Sequence, residues 1–368
     1  MVSKLKLQNF QDHFKTTTTT DYLHTSPKPV HSVKMATTQQ SQPPALTFPR
    51  PIFAAVSPHP FLQAHLSANR KTPLRANARS AHAFRRPGIN TGSLTHANGS
   101  AVVRLGNTSV VCGVRAEILK EADIPGTNDF SSAIDSEDGD DAEEIDTLRL
   151  VVPNVELSTG STPNHIPGNA PSTFAQSLIT RMRSLLVSSR LLRARDLRIL
   201  YTPSANTEDV DEEPQTVVKG YWVLYIDVFF ISIDGSAFDA AWLSLLAALR
   251  DTKLPRAWFD EEFEGILCSD DPVEAKTLEL RGLPVPATFA VFEGKSEDEG
   301  DVQWVLSDPD AFEEGVCRES VCVVVDGGKV LRIEKSGGGV VGRQAMKDLV
   351  QMAGERCREV EKALGGRA

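Results

Sequence analysis

Gly337-x-Gly339-x-x-Gly342 has the spacing of a loop that cradles a dinucleotide phosphate, with a β-branched run before it and an apolar-periodic segment after it. Such a loop works inside a βαβ unit, where a further strand follows the helix. Only 26 residues follow Gly342, so the stretch reads as a plain strand-to-helix loop. A second group, Asp234-Gly235-Ser236-Ala237-Phe238-Asp239, opens the most apolar segment of the chain. Ser236-x-x-Asp239 has the spacing of a helix cap with an acid in the first turn, where the helix dipole favours it. The five cysteines, Cys112, Cys268, Cys317, Cys322 and Cys357, form no C-x-x-C and are odd in number. Neither a zinc site nor a disulfide framework is expected from them, and reduced thiols are. The eight His lie mostly in the N-terminal third, and no Ser-His-Asp or Cys-His arrangement emerges. No Walker loop, H-E-x-x-H or H-x-E with a cysteine pair is present.

Positioning these groups falls to a series of strands and helices. Residues 89–117 hold two turn signals, Asn98-Gly99 and Gly106-Asn107, each followed by a β-branched run. Such pairs take positive φ at little cost, so a β-meander of three strands with tight hairpins is expected. A strand over 148–155 should end at Pro153-Asn154. Thr173-x-x-Gln176 reads as a capping box. Behind it, Ala175, Leu178, Ile179, Met182, Leu185 and Leu186 recur at helical spacing. Strands are expected at 196–200 and 221–233, and a helix buried nearly all round over 236–249. Later strands fall at 284–292 and 321–333, the second with a turn at Asp326-Gly327-Gly328. An amphipathic helix over 344–360 closes the chain. Strands and helices in this order make an α+β fold.

Charge divides the chain. Residues 1–88 carry twelve Lys/Arg against two Asp, while the whole molecule is at −10. Residues 1–57 are low in complexity and expected to be disordered; Phe61, Leu62 and Leu66 suggest a short helix that docks on the body. Residues 121–146 hold eleven acids and no Lys or Arg, which reads as a solvated loop. An acidic body disfavours strong RNA binding by the isolated chain, because phosphate contacts need Lys and Arg. No apolar run approaches the ~18 residues of a membrane span.

Several segments, taken in order, carry a family resemblance: Phe84-Arg85-Arg86-Pro87, Leu105-Gly106-Asn107-Thr108, Val151-Val152-Pro153-Asn154, Trp222-Val223-Leu224-Tyr225-Ile226-Asp227, Asp234-Gly235-Ser236, Leu245-Leu246-Ala247-Ala248-Leu249 and Leu283-Pro284-Val285-Pro286-Ala287-Thr288-Phe289. The chain resembles the exosome core-ring branch of the ribonuclease PH family in its fungal form, from about Phe61 to Val360. The resemblance implies a ribonuclease PH-like fold (ribosomal protein S5 domain 2-like), with two subdomains of mixed sheet packed with helices. It implies a domain over 58–255 containing the acidic insertion 121–146, and a second over 256–368 with the C-terminal helix.

Active members of that family attack the last RNA linkage with inorganic phosphate. They hold the phosphate at the N-terminus of a buried helix, where free N–H groups, the dipole and an Arg clamp favour an anion. The matching element here is Gly235 to Asp239, with Phe238 and Asp239 where the clamp belongs. The family's acidic residue falls at Ser320, with Glu319 beside it. The resemblance therefore implies a degenerate site near Gly235, Ser236, Phe238, Asp239 and Ser320, no catalytic residue, no metal and no cofactor. It implies a ring subunit with a structural and RNA-path role in 3′–5′ RNA processing, found in nucleus, nucleolus and cytoplasm. Expected partners are other ribonuclease PH-like ring subunits, S1/KH RNA-binding cap subunits and single-stranded RNA, with no membrane. Arg104, Arg115, Lys219 and Arg343 are the RNA-path candidates. The alternatives are an active phosphate-dependent 3′–5′ exoribonuclease and a scaffold that binds no RNA.

Overall fold

The computed structural model describes residues 49–68, 72–124, 141–162, 172–203, 216–296 and 300–365. In chain order the elements are α1 (Arg50–Val56), α2 (Pro58–Ser67), β1 (Pro87–Thr91), β2 (Gly99–Leu105), β3 (Thr108–Lys120), α3 (Asp141–Thr147), β4 (Val151–Leu157), α4 (Thr173–Ser188), α5 (Ala194–Leu197), β5 (Arg198–Tyr201), β6 (Val217–Ser232), α6 (Ala237–Asp251), β7 (Lys253–Leu254), β8 (Ala257–Asp260), β9 (Gly265–Cys268), β10 (Lys276–Thr277), β11 (Val285–Ser296), β12 (Gly300–Ser307), α7 (Ala311–Val316), β13 (Glu319–Asp326), β14 (Lys329–Ser336) and α8 (Arg343–Ala363).

The first sheet runs β1-β2-β3-β6-β4, and β5 also pairs with β6. It is mixed, because β4 lies parallel to β6 while the others are antiparallel. The second sheet runs β12-β11-β13-β14 and is antiparallel throughout, so the expected mixed character holds for the first sheet alone. Helix α6 lies between the sheets with Phe238, Trp242 and Leu245 buried, and the Trp242 indole donates to the Pro284 carbonyl at 2.6 Å. One hydrophobic cluster runs from Val103 and Phe230 through α6 to Phe289, Val323 and Leu349.

The Gly106-Asn107 turn forms as expected, a two-residue hairpin with Gly106 at φ +63 and Leu105 facing Thr108. Asn98-Gly99 does not. Seven residues separate β1 from β2, and Gly99 is the first residue of β2. Its missing side chain admits the backbone of Ala248 and Thr252 at the end of α6, so this glycine serves a close approach, not a turn. Pro153 lies inside β4 instead of ending it. Strand β4 is an edge strand, where a missing N–H leaves no ladder bond unmade.

Helix α4 is capped by Ser172, whose hydroxyl accepts from the Ala175 N–H at 3.2 Å, one residue before the expected Thr173. Its apolar face is the one the periodicity predicts. Helix α1 falls within the 1–57 stretch expected to lack structure; residues 1–48 of that stretch lie outside the described residues. Within the acidic insertion, residues 125–140 lie outside the described residues. Residues 141–147 form α3, where Glu144 is buried and pairs with Arg198, so this end of the insertion is anchored and not a solvated loop. Helix α2 docks through Phe61, Leu62 and Leu66, as their pattern suggests. Its partners are Ala290, Phe292 and Leu306 of the second sheet.

Candidate functional site

A cleft of about 540 Å³ opens where α4, the start of α6, α7 and strands β13 and β14 meet. Ser236, Phe238, Glu319 and Ser320 line it together. The two segments that the family resemblance groups, Gly235 to Asp239 and Glu319-Ser320, thus meet at one cleft, although about 80 residues of sequence lie between them.

The entrance to α6 is tightly built. Gly235 has φ +71, and a side chain there would collide with the Pro309 carbonyl and the Asp310 backbone. Ser236 also has positive φ, at 47, and its hydroxyl donates to the Pro309 carbonyl at 3.1 Å. The expected cap is therefore absent: neither the Ser236 hydroxyl nor the Asp239 carboxylate caps α6. Asp239 turns to β11 and accepts from the Thr288 N–H at 2.8 Å and the Thr288 hydroxyl at 2.7 Å. Burial pushes its pKa upward against those two bonds. Position 239 bridges α6 to the second sheet, and the left-handed turn before it has displaced the capping geometry.

At the mouth of the helix the protein supplies its own anion. Glu314 Oε1 accepts from the Ser236 N–H at 2.7 Å. Crowding by protein, against the favourable Ser236 N–H, pushes this carboxyl up to about 7 although it opens onto the cleft. Of the guanidiniums lining the cleft, that of Arg181 on α4 is centred 3.8 Å from the Phe238 ring. It is committed to Glu334 of β14, with bonds of 2.8 and 2.7 Å. Glu319 is likewise engaged: Lys335 Nζ lies 2.7 Å from it and the Gly339 N–H 2.5 Å. The Lys335 bond chiefly holds its pKa below the usual carboxylate range. Gly337 is needed here, because a side chain would strike the Glu319 carboxylate. Gly337 and Gly339 thus wrap a carboxylate, while Gly342 stands at the N-terminus of α8. Cys317 and Cys322 also line the cleft, and burial pushes both thiols up to about 12, which leaves them unreactive near neutral pH.

Beneath the α6 turn lies a buried ion network. Asp308, in the left-handed region at φ 54, accepts from the Arg85 side chain at 2.6 and 2.8 Å and from the Arg85 N–H at 2.8 Å. Burial opposes its charge, but Arg85 outweighs burial and holds its pKa below the ordinary range. Arg85 also donates to the Asp234 carbonyl at 2.7 Å. Arg75 pairs with Glu313 at 3.1 Å and donates to the Ala81 and Ser307 carbonyls. Residues 75–85 therefore clamp the α6 turn to the end of β12.

Sequence reasoning missed Glu314, Arg181, Glu334, Lys335 and the Asp308 hub. A signal for one of them existed: Asp310-x-x-Glu313 is a capping box, with both reciprocal bonds formed in α7. That helix start would have placed Glu314 in the first turn of α7.

The RNA-path candidates do not line the cleft. Arg104 is exposed on β2 and donates to the Gly106 carbonyl at 3.0 Å. Arg115 on β3 pairs with Glu117 at 3.1 Å and lies over Tyr225. Lys219 on β6 pairs with Glu121 at 3.2 Å and faces the Phe259 ring. Arg343 begins α8.

Fold and cleft geometry together describe a ribonuclease PH-type protein. The family model described as 3′ exoribonuclease family, domain 1, matches residues 83–255. Exosome complex component rrp43 of Schizosaccharomyces pombe is 30% identical over 312 residues, covering 84% of this chain and 95% of that protein. The chain belongs to the 3′ exoribonuclease (RNase PH) family. It is also similar to exosome complex component Rrp42 of Thermococcus gammatolerans, 26% identical with 79% and 89% coverage. Among solved structures it matches a chain of the Archaeoglobus fulgidus exosome with RNA bound to the active site, at TM-score 0.60 and 22% identity, covering 84% of this chain and 98% of that one. An archaeal exosome core chain matches at TM-score 0.56 and 22% identity, with 86% and 99% coverage. These structures share the fold.

Proposed function

We propose that this chain is a non-catalytic ring subunit of an RNA exosome core, contributing interfaces and part of an RNA path to 3′–5′ RNA processing and degradation. The observation that carries the reading is the start of α6. Phosphate would need free N–H groups and an Arg clamp there. Phe238 stands in the clamp position, Glu314 takes the Ser236 N–H, and Arg181 is committed to Glu334. A phosphate placed there would meet a carboxylate that is ionised in a large share of molecules near pH 7. The names of the relatives, exosome components from a fungus and an archaeon, support the assembly. The partners would be neighbouring ribonuclease PH-like subunits, S1/KH cap subunits and the single-stranded RNA, with work in nucleus, nucleolus and cytoplasm. The two ribonuclease PH-like domains would meet near residue 255.

One observation favours the second reading, an active phosphorolytic nuclease: a carboxyl titrating at about 7 in a cleft is suited to general-acid work. Purified chain incubated with single-stranded RNA and inorganic phosphate separates the two. We expect no nucleoside diphosphates above background. Their release, abolished by Glu314→Gln, would overturn the non-catalytic reading.

A further inference from the structure

The β8–β9 hairpin has two unlike faces. Its inner face is docked: Phe259 packs edge-on against Tyr201 with centroids 5.2 Å apart, and Lys219 Nζ lies 5.4 Å from the Phe259 ring. Ile266, opposite Phe259 in the register, reaches strand β6 at Gly220, where an added side chain would meet its Cδ1 and the Leu119 carbonyl. Those contacts account for the hairpin's position on the body.

Among the described residues the outer face has no such partner. Trp258 and Leu267 stand directly opposite one another and are 38% and 36% exposed, and Phe263 at the tip is 73% exposed. The tip is shaped: Asp260 Oδ1 accepts from the Glu262 and Phe263 N–H groups at 2.9 and 3.0 Å, so Phe263 is held out by a formed turn. Large apolar side chains displayed together on an ordered hairpin lose free energy to hydration unless something covers them. The hairpin itself carries Asp260, Glu261, Glu262 and Glu264, Asp270 and Asp271 follow it in sequence, and residues 257–275 contain no Lys or Arg.

We propose that the outer face of this hairpin is a docking surface for a positively charged protein segment that inserts an apolar side chain beside Trp258, Phe263 and Leu267. Charge decides the class of partner. The four carboxylates of the hairpin repel phosphate, which disfavours RNA or any other anionic surface as the occupant. Lys and Arg on the partner would meet that rim, setting orientation and encounter rate, while the aromatic centre supplies most of the affinity.

Photo-crosslinking tests this. The full chain carrying Leu267→p-benzoylphenylalanine is purified with its co-purifying subunits and irradiated, and the adduct peptides are sequenced. We expect adducts on a segment with an excess of Lys and Arg. Yield should fall at least about tenfold in the Glu261→Lys/Glu262→Lys background, and strongly in 0.5 M salt, where screening is short-ranged. Adducts on RNA, adducts on a neutral or acidic segment, or none above background would overturn the proposal. Trp258→Ser serves as the folding control. It should leave the melting temperature within about 2 °C of the parent, because the inner face holds the hairpin. This inference does not depend on the ring reading: loss of ring neighbours from the preparation counts against the ring, whereas the charge of the crosslinked segment tests the docking surface.

Discussion

Asp308 lies beneath the α6 turn, where it holds Arg85. It is 1% exposed, has positive φ, and joins Arg85, the α6 turn and the end of β12. Removing one partner of a buried ion pair leaves the other charge desolvated, which costs about 3–5 kcal/mol. Asp308→Ala should therefore unfold at markedly lower denaturant than the parent, measured by the urea midpoint. Its pKa is depressed on folding, so its contribution is fully present above the ordinary carboxylate range and fades as pH falls through the folded value. Glu314 has the opposite sign. Its folded pKa, about 7, lies above the ordinary glutamate value of 4.5, so the folded state favours the protonated form, and stability is lost as pH rises between those values. Glu314→Gln should gain stability relative to the parent as pH climbs from 5 to 8, by about 1 kcal/mol after allowing for the open side of the cleft. Paired urea titrations at pH 5 and pH 8 would show it; a gain that is flat with pH would refute it. Glu314 had the α7 capping box as its signal, whereas Asp308 had none in the sequence. Asp308 meets Arg85 across 223 positions, and no local pattern reports a pairing that distant.

Element by element, legibility followed periodicity. The apolar stripe of α4, the all-round apolar α6, the Gly106-Asn107 hairpin and the C-terminal helix were readable because 3.6- and 2-residue periods survive any tertiary context. What escaped were choices that depend on neighbours. Pro153 is tolerated in β4 because that strand is an edge, and Gly99 is required because α6 ends against it. Residues 141–147 fold because Glu144 finds Arg198, 54 positions away. The α1–α2 strap is another such case. His59 and Gln63 bond the Glu293 and Lys295 carbonyls of β11, beyond the last residue that pairs with β13, Leu62 and Leu66 cover Ala290, Phe292 and Leu306, and Phe61 meets Phe312. Deleting residues 1–68 should bare an unpaired strand edge together with an apolar patch, a combination that promotes self-association. We expect the truncated chain to elute as oligomers or aggregate at concentrations where the full chain does not, as read by light scattering. Deleting residues 1–48 alone, which leaves both helices, should have no such effect.

For the molecule as a whole, the sequence suggests a basic arm ahead of an acidic body, but much of that basic charge is spent internally. Seven of the twelve cations before position 89 lie after residue 48, and three of these, Arg75, Arg79 and Arg85, are bonded to Glu313 and Asp308. The four RNA-path candidates are no freer as a group, since Arg115 and Lys219 each face a carboxylate. They also sit on three strands and a helix instead of along one groove. Binding to single-stranded RNA releases condensed counterions with a log–log salt slope of about −0.7 per phosphate neutralised. With no more than about four phosphates within reach of these cations, the isolated full chain should show a slope no steeper than about −3. Fluorescence anisotropy of a labelled oligonucleotide between 50 and 200 mM salt measures it. Reversing Arg104 and Arg343 to Glu should flatten the slope further if they touch RNA, and leave it unchanged if they are solvated. A slope near −6 would require a continuous basic track, which the paired carboxylates around these residues argue against, and would move RNA binding from the assembled ring to this chain alone.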